Sequence, residues 1–411
     1  MDIVAMRNAT EVVEPRKRTL RATQPLPASA SVDDVIKCFQ RELRGEVKRL
    51  VRSSPRIAEL TTVYPGMLAA LASERGSAAQ RREAIALIRD GAPLKVVARV
   101  LDLPMWLRRL PPDAFGSLPS QLPQSEKFGR RIVARLPRLR EESAFWLQSI
   151  LFAERACDED FATWLASQRI FTDGGDSQKL FAVLAAYAWF SRQPTTEAHR
   201  LIVVPWRPEI AFDTALCAAK SWFNRVRLVL QLPTGMIEDA WLASGEARGY
   251  TFKPLLNHSE ILGEAQAMQN CADQYAERIV RGKCRLFSVQ SNGVRCATLE
   301  IGQHPREIGV LSILQLKARH NSAATLDVWQ AAYMWLAQQQ GLKRIPPLTP
   351  SHVLNGTFDQ TAWQRIMSPY RDAVGAAEWF DTAASNLMFC AYDAEMADLA
   401  RRGGVSSWLF T

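Results

Sequence analysis

The sequence contains few of the patterns that identify enzymes and metal proteins directly. It has five His and seven Cys in 411 residues. Neither Cys-x-x-Cys nor His-x-x-x-His occurs, so no zinc site is predicted. Walker and dinucleotide-binding motifs are missing too, because Asp173-Gly-Gly-Asp176 is not followed by Gly-Lys-Ser/Thr. Neither a metal nor a cofactor is therefore predicted.

Long apolar runs are missing as well. The longest, residues 180–190, falls well short of the about 20 residues that cross a bilayer. The chain opens without the apolar segment of a signal peptide. An odd number of Cys without framework spacing is typical of a reducing compartment. Together these features predict a cytoplasmic protein with no membrane partner.

Positive charge is concentrated near the start of the chain. Residues 31–140 hold 21 Lys/Arg against 11 Asp/Glu, a net charge of +10. Residues 141–411 hold 25 Lys/Arg against 28 Asp/Glu. A basic region of this kind is typical of polyanion binding if its charges share a face, and is otherwise a solvated surface. Nucleic acid is the partner predicted for residues 1–140.

The patterning predicts a mainly α-helical α+β protein, and 47% hydrophobic content is enough for two or three cores. Short β-like apolar runs at 201–204 and 226–232, around a helix at 211–223, allow a strand–helix–strand element in the middle region. Five parts are predicted: a disordered basic tail (1–30), a basic helical domain (31–140), a helical or mixed middle region (141–254), a small α+β unit (255–340) and a C-terminal helical segment after a Pro-rich linker (341–411).

Two features indicate how the basic region would bind nucleic acid. Residues 84–110 have the outline of a helix-turn-helix that ends in Met105-Trp-Leu-Arg-Arg109, although packed helical repeats give the same spacing. A cluster of arginines follows within eleven residues and is a candidate phosphate track, unless it is only a solvated helix face. Its members are Arg130, Arg131, Arg135, Arg138 and Arg140.

The stretch 259–321 predicts a helix, a three-stranded antiparallel meander and a second helix. Apolar residues from Ile261 to Ile279 recur at helical spacing, with Ser259 as the N-cap. Two strands, 284–290 and 294–301, flank Asn292-Gly293, which favours a type I′ turn. A third strand at 310–317 leads to Asn321, the predicted N-cap of the next helix.

The Asn292-Gly293 turn also predicts the strand register. A two-residue loop pairs Phe287 with Thr298, Leu286 with Leu299, and Arg285 with Glu300. One face then carries the polar residues Arg285, Thr298 and Glu300. The other carries Leu286, Leu299 and Ile301 and is expected to pack against the helix that contains Cys271.

These residues resemble the PcfJ-like family of conjugative plasmids, phages and other bacterial mobile elements. The resemblance covers roughly residues 259–321. It rests on Glu264-x-x-x-Met268-x-x-Cys271-x-x-x-Tyr275, on Ser288, on Ala297-Thr-Leu-Glu-Ile301 and on Gln315-Leu-Lys-x-x-x-Asn321. Many relatives carry His where this chain has Asn270. The resemblance implies an accessory protein of a mobile element, with other proteins of the element as partners, and it implies no particular activity.

Cys271 is the candidate nucleophile, with His320 or His304 as its base and Glu300 as a second acid–base candidate. Each also has a structural explanation, because free Cys is commonly buried and Glu300 has Arg285 as its predicted partner. The alternatives left open are a hydrolase or transferase centred on Cys271 and Glu300, and a protein-binding scaffold. The candidate binding residues are Asn270, Tyr275, Arg285, Thr298, Gln315, Lys317 and Asn321.

Overall fold

The computed structural model describes residues 31–116, 118–119, 121–138, 140–168, 177–232, 237, 239–343 and 360–374. The predicted tail at 1–30, the linker after Gly341 at 344–359 and residues 375–411 of the predicted C-terminal helices lie outside the described residues. The chain divides into an N-terminal unit, Met1–Gln148, and a C-terminal unit, Ser149–Thr411. The predicted class, α+β and mainly helical, is confirmed.

The N-terminal unit is built from short helices with sequence-encoded ends. Ser31 caps the first helix, and Ser77 forms a capping box with Gln80 at the start of the fifth. Gly91 ends that fifth helix in the left-handed conformation, with φ of 80°. The helices are α1 (Val32–Cys38), α2 (Arg41–Ser53), α3 (Pro55–Val63), α4 (Pro65–Ala72), α5 (Ala78–Asp90), α6 (Leu94–Val100) and α7 (Glu126–Val133).

The segment after α6 does not form a recognition helix. Met105–Arg109 is a single 3-10 turn in which Trp106 and Leu107 are fully buried. The indole of Trp106 donates to the Pro123 carbonyl at 2.8 Å, which fixes the turn to the following loop. The predicted recognition segment at Met105–Arg109 is therefore wrong, whereas α5, the turn at Gly91 and α6 follow the predicted outline of packed short helices.

Helix α8 (Ser143–Ala156) contains the boundary between the units, and α9 (Glu159–Ala166), α10 (Ser177–Phe190), α11 (Glu197–Arg200) and α12 (Phe212–Gln231) follow. The strand–helix–strand element that the sequence allows around residues 201–232 is not formed. Residues 201–204 are irregular, and residues 226–231 are the last turns of the 20-residue α12. The apolar run misled because Val226, Leu228, Val229 and Leu230 are all buried, which makes a helix segment apolar on most sides. A last described helix is Gln360–Val374.

The sheet is antiparallel and has five strands in the order β1-β2-β3-β4-β5. The predicted meander is its β3, β4 and β5, and β1 and β2 were not predicted. Both are short, and one ends at Pro254, which makes the sequence signal weak. The strands are β1 (Gly245–Ala247), β2 (Tyr250–Pro254), β3 (Cys284–Ser291), β4 (Val294–Gln303) and β5 (Leu311–Ala318).

The hairpin between β3 and β4 has the predicted turn but not the predicted register. Asn292 and Gly293 have φ of 49° and 79°, and Ser291 faces Val294. A bulge beside Val289 and Gln290 then leaves Cys296 as an extra residue on β4. The observed pairs beyond it are Ser288 with Thr298, Phe287 with Leu299, Leu286 with Glu300 and Arg285 with Ile301.

The bulge changes which residues share a face. Leu299 and Ile301 join Phe287 on the face that packs against α15 (Leu326–Ala337). Trp335 of α15 is at the centre of that core, with its ring 5.1 Å from that of Phe287. The opposite face carries Leu286, whose core includes α13 (His258–Met268) and α14 (Ala276–Val280). The prediction that Leu286 and Leu299 share a face is therefore wrong, as is the Arg285–Glu300 pair.

The predicted helix from 259 to 279 is interrupted. It begins at the cap Asn257 rather than Ser259, and α13 ends at Met268 because Gln269 is left-handed, with φ of 49°. A 3-10 turn, Ala272–Gln274, precedes α14. Cys271 thus lies in a bend between helices, not in the middle of one. Among the described residues, no helix is long and apolar enough to cross a membrane.

Candidate functional site

The face of the sheet that carries Thr298 and Glu300 contains a small polar cleft. Its cavity volume is about 20 Å³, which is room for one or two water molecules. The bend after α13 and strands β3 to β5 supply its walls. We call it the sheet cleft; it is lined by Asn270, Cys271, Ala272, Tyr275, Leu286, Thr298, Glu300, Gln315, Lys317 and Asn321.

A chain of hydrogen bonds fixes one wall of the sheet cleft. The Thr298 hydroxyl donates to Glu264 Oε1 at 2.7 Å and accepts from Asn270 Nδ2 at 2.7 Å. Asn270 Oδ1 accepts from the Ala272 amide at 3.1 Å, so the same side chain holds the bend. Glu264 is fully buried, and Arg295 Nε lies 2.9 Å from its Oε2. Burial raises the pKa of Glu264 above its usual value despite this partner.

Glu300 organises the other wall. It is 2% exposed, and its carboxylate is ion-paired with Arg278. The Tyr275 hydroxyl donates to Glu300 Oε2 at 3.2 Å, and the Arg278 guanidinium lies 5.0 Å from the centre of the Tyr275 ring. Burial raises the pKa of Tyr275, so the phenol stays protonated and acts as a donor. Glu300 is therefore an acceptor fixed by two donors from the α14 side.

Cys271 is half-buried at the edge of the sheet cleft, and its thiol lies 3.7 Å from Asn321 Oδ1. Burial raises the pKa of this thiol, and the nearby carboxylates of Asp273 and Glu300 act in the same direction. A nucleophilic thiol needs the opposite shift and a base within hydrogen-bond reach. None of the described histidines lines the cleft, and His320 is an exposed residue in the turn after β5.

The structure brings most of the predicted polar residues together. Asn270, Cys271, Tyr275, Thr298, Glu300, Gln315, Lys317 and Asn321 all line the sheet cleft. Arg285 does not, because it lies on the opposite face with its guanidinium 4.5 Å from the Trp241 ring. Asn321 is not the predicted helix cap, since Thr325 precedes α15 and Asn321 itself is left-handed with φ of 56°.

The sequence did not predict the residues that support the lining of the sheet cleft, Glu264, Ser288 and Arg278. Glu264 and Ser288 were noticed only as parts of the family pattern, yet both are almost completely buried on this face. Arg278 belongs to no motif in the sequence. The available signal was the helical spacing of Tyr275 and Arg278, which places a phenol and a guanidinium on one side of a helix. Their shared partner Glu300 depends on a tertiary contact that spacing does not contain.

The sheet cleft combines polar groups with the apolar surfaces of Ala272, Tyr275 and Leu286. Amide, ammonium and carboxylate groups surround a space that is too small for a whole substrate molecule. Among the described residues, no group of three or more His, Cys, Asp or Glu side chains is placed to hold a metal ion. Searches of protein-family models, of curated proteins and of solved structures all found no match.

Proposed function

We propose that this protein is a nucleic-acid-associated accessory protein of a bacterial mobile genetic element, such as a conjugative plasmid or a phage, and acts in the cytoplasm. Its N-terminal unit contacts nucleic acid, and the α+β part of its C-terminal unit is a binding module for other proteins of the element. Support for the setting comes from the family-like pattern in residues 259–321. Support for the nucleic acid comes from the charge of residues 31–140.

One helix carries the argument for nucleic acid. The buried residues of α2 are Leu43, Val47, Leu50 and Val51. Four cations recur along its exposed side with helical spacing, and the Nε of one of them, Arg44, donates to the Phe39 carbonyl at 2.8 Å. We call them the α2 stripe: Arg41, Arg44, Lys48 and Arg52. Cations aligned in this way match a phosphate backbone, whose regularly spaced negative charges they neutralise while releasing counterions.

Gly45 gives the α2 stripe a further property. It lies on the exposed face, and a Cβ placed there would meet nothing within 4 Å. Glycine in the middle of a helix costs roughly 0.5–1 kcal/mol relative to alanine, and packing does not require it here. The bare backbone between Arg41, Arg44 and Lys48 allows a sugar–phosphate chain to approach closely.

The predicted arginine track is less uniform than the α2 stripe. Arg130, Arg135 and Arg138 are exposed, and Arg131 is half-buried. Arg140 Nε lies 3.7 Å from Asp113 Oδ2, inside the unit, and this contact restrains its side chain. Within the proposal, α2 is therefore the main contact, and the exposed Arg130, Arg135 and Arg138 are additional candidate contacts.

The salt dependence of binding tests this proposal. The double variant Arg44→Gln/Lys48→Gln removes two cations from the α2 stripe, and we expect the log–log salt slope for duplex DNA to fall by about 1.8, or 0.9 for each phosphate contact. The measurement is affinity over a range of salt concentrations. The matched control, Lys253→Gln/Arg306→Gln, removes two exposed cations from the C-terminal unit and should leave the slope unchanged. An equal fall in both variants would mean that net charge alone attracts DNA.

Reactivity of Cys271 tests whether the α+β part is a module or a thiol enzyme. With its pKa raised by burial, the thiol has less thiolate at pH 7 than an ordinary cysteine. We expect maleimide to modify Cys271 more slowly in the native protein than in denaturant, as read by peptide mass mapping. Cys296 is also half-buried, so its modification rate in the same sample is the reference for the rate at Cys271. Modification of native Cys271 as fast as in the unfolded chain would support the hydrolase or transferase instead.

A further inference from the structure

The aromatic side chains of the N-terminal unit are used in its core. Residues 1–148 contain seven Phe, Tyr and Trp residues and no His, and each of the seven lies at a described position. Phe145 is half-buried, and the others are fully buried. The fully buried ones are Phe39, Tyr64, Trp106, Phe115, Phe128 and Trp146. Within residues 1–148, therefore, no exposed aromatic ring is available for a nucleic-acid base to stack on.

The α2 stripe, by contrast, is open to a partner. All four of its cations are exposed, and those other than Arg44 form no hydrogen bond or ion pair with another described residue. Of the two carboxylates on α2, Glu46 is ion-paired with Arg49, which leaves the four cations of the stripe against Glu42. The surplus positive charge of α2 is thus accessible and not already neutralised by the fold.

The α2 stripe is also a rigid row, because its members lie along one helix. Arg41 and Arg52 are eleven residues apart, which is about 16 Å along the helix axis. A double helix holds its phosphates at fixed spacing before it binds, so it loses little freedom against such a row. A single strand must be ordered on binding, and proteins that bind single strands offset this cost by stacking bases on aromatic rings.

We infer that the α2 stripe binds the phosphate backbone of a double-stranded nucleic acid in preference to a single strand; the inference rests on the proposed nucleic-acid function of the N-terminal unit. The cations meet phosphates, which carry no sequence information directly. The segment predicted to read bases, Met105–Arg109, contributes Trp106 and Leu107 to the core instead. Binding is therefore independent of base sequence. Double-stranded DNA and double-stranded RNA share this backbone chemistry.

Fluorescence anisotropy on the full chain, at one fixed salt concentration, tests the preference. The probes are two DNA duplexes of unrelated sequence, an RNA duplex, and oligothymidine as a single strand without internal base pairs. We expect the two DNA duplexes to bind equally and about tenfold more tightly than oligothymidine, because the duplex has the higher charge density and the single strand finds no ring to stack on. The ratio of RNA-duplex to DNA-duplex affinity identifies which double helix the stripe prefers.

The outcomes of this experiment separate the inference from the proposed function. Oligothymidine bound as tightly as the duplexes would overturn the inference and leave nucleic acid as the partner. A strong preference for one DNA duplex over the other would also overturn it, because the bases would then be read. Binding of none of the probes would overturn the proposed function, and the inference with it.

Gly45→Tyr tests the same inference by supplying the missing ring. The position is exposed within the stripe, and a Cβ there meets nothing within 4 Å. We expect oligothymidine to bind about fivefold more tightly, because one base can stack, and the duplexes to bind more weakly, because the ring blocks close approach of the backbone. The matched control Gln330→Tyr places the same ring at an exposed position of α15 and should change neither affinity. Duplex affinity that is unchanged or higher in Gly45→Tyr would overturn the inference.

Discussion

The two units of this protein place their charges in opposite ways. In the N-terminal unit the surplus cations lie at the surface, as the exposed Arg41, Lys48 and Arg52 of α2 illustrate. In the C-terminal unit three carboxylates are nearly inaccessible: Glu264, Asp273 and Glu300 are 0%, 4% and 2% exposed. Net charge alone, +10 for residues 31–140 and −3 for residues 141–411, does not reveal this difference.

The difference separates two uses of charge. Exposed cations keep most of their hydration, cost the fold little, and remain available to a polyanion. Buried carboxylates lose hydration and need compensation, which here comes from Arg295, Arg225 and Arg278. Each of these ion pairs joins separate elements of the C-terminal unit. Buried charge therefore specifies which elements of the C-terminal unit meet, whereas the exposed cations do not constrain the packing of α2.

The largest expected effect comes from breaking a buried pair. Arg225→Met leaves the Asp273 carboxylate without its partner, and we expect a loss of about 3–5 kcal/mol in the free energy of unfolding. Urea denaturation measures the loss. Adding Asp273→Asn should restore most of it, because the uncompensated charge is removed. A loss below about 1 kcal/mol, the size of an exposed pair, would contradict the comparison.

The same variant has a predictable pH dependence. Burial raises the pKa of Asp273, and Arg225 opposes that rise. Without Arg225 the pKa rises further, so the folded state retains the proton at higher pH than the unfolded chain does. Stability is then lost as pH rises through the folded-state pKa. We expect Arg225→Met to be closest to the wild type near pH 5 and to lose most at pH 8.

An intermediate effect is expected from Thr298→Val, which keeps the shape and removes the hydroxyl between Asn270 and Glu264. Both partners then lose a buried hydrogen bond, and the expected cost is about 1–3 kcal/mol. Thr251→Val is the matched control. Its hydroxyl is 3.3 Å from Glu246 Oε1 near solvent, and its loss should cost less than about 0.5 kcal/mol. Equal losses of stability in the two variants would show that the buried hydrogen bonds of Thr298 contribute no more than the exposed one of Thr251.

The smallest expected changes in stability come from replacing two glycines by alanine, one in each unit. Gly45→Ala should stabilise by roughly 0.5–1 kcal/mol, because alanine favours the helix and meets no neighbour. Gly293→Ala should destabilise by about 1 kcal/mol, because its φ of 79° strains any residue with a Cβ. Thermal unfolding shows whether each substitution raises or lowers the stability. A destabilised Gly45→Ala would mean that the α2 surface is covered rather than open.

The sequence predicted the turn beside the candidate site but not the strand register beyond that turn. The Asn292-Gly293 turn was predictable because few residues accept positive φ so readily. The register beyond it was not, since the bulge at Cys296 moves Thr298 and Glu300 by one position relative to β3. The polar composition of the sheet cleft was nevertheless predicted, because Thr298 and Glu300 remain on a common face with either register.

The sequence by itself determined the local features: the caps of the first helices, the tight turn, the uneven charge and the predominance of helix. Each of these depends on neighbours along the chain, which a pattern records. Only the tertiary structure decided that the helix carrying the family-like motif breaks at Gln269, and that Glu264 and Arg278 meet Thr298 and Glu300. Those contacts join residues at least 22 positions apart, where the stability of a buried charge depends on partners that local spacing does not specify.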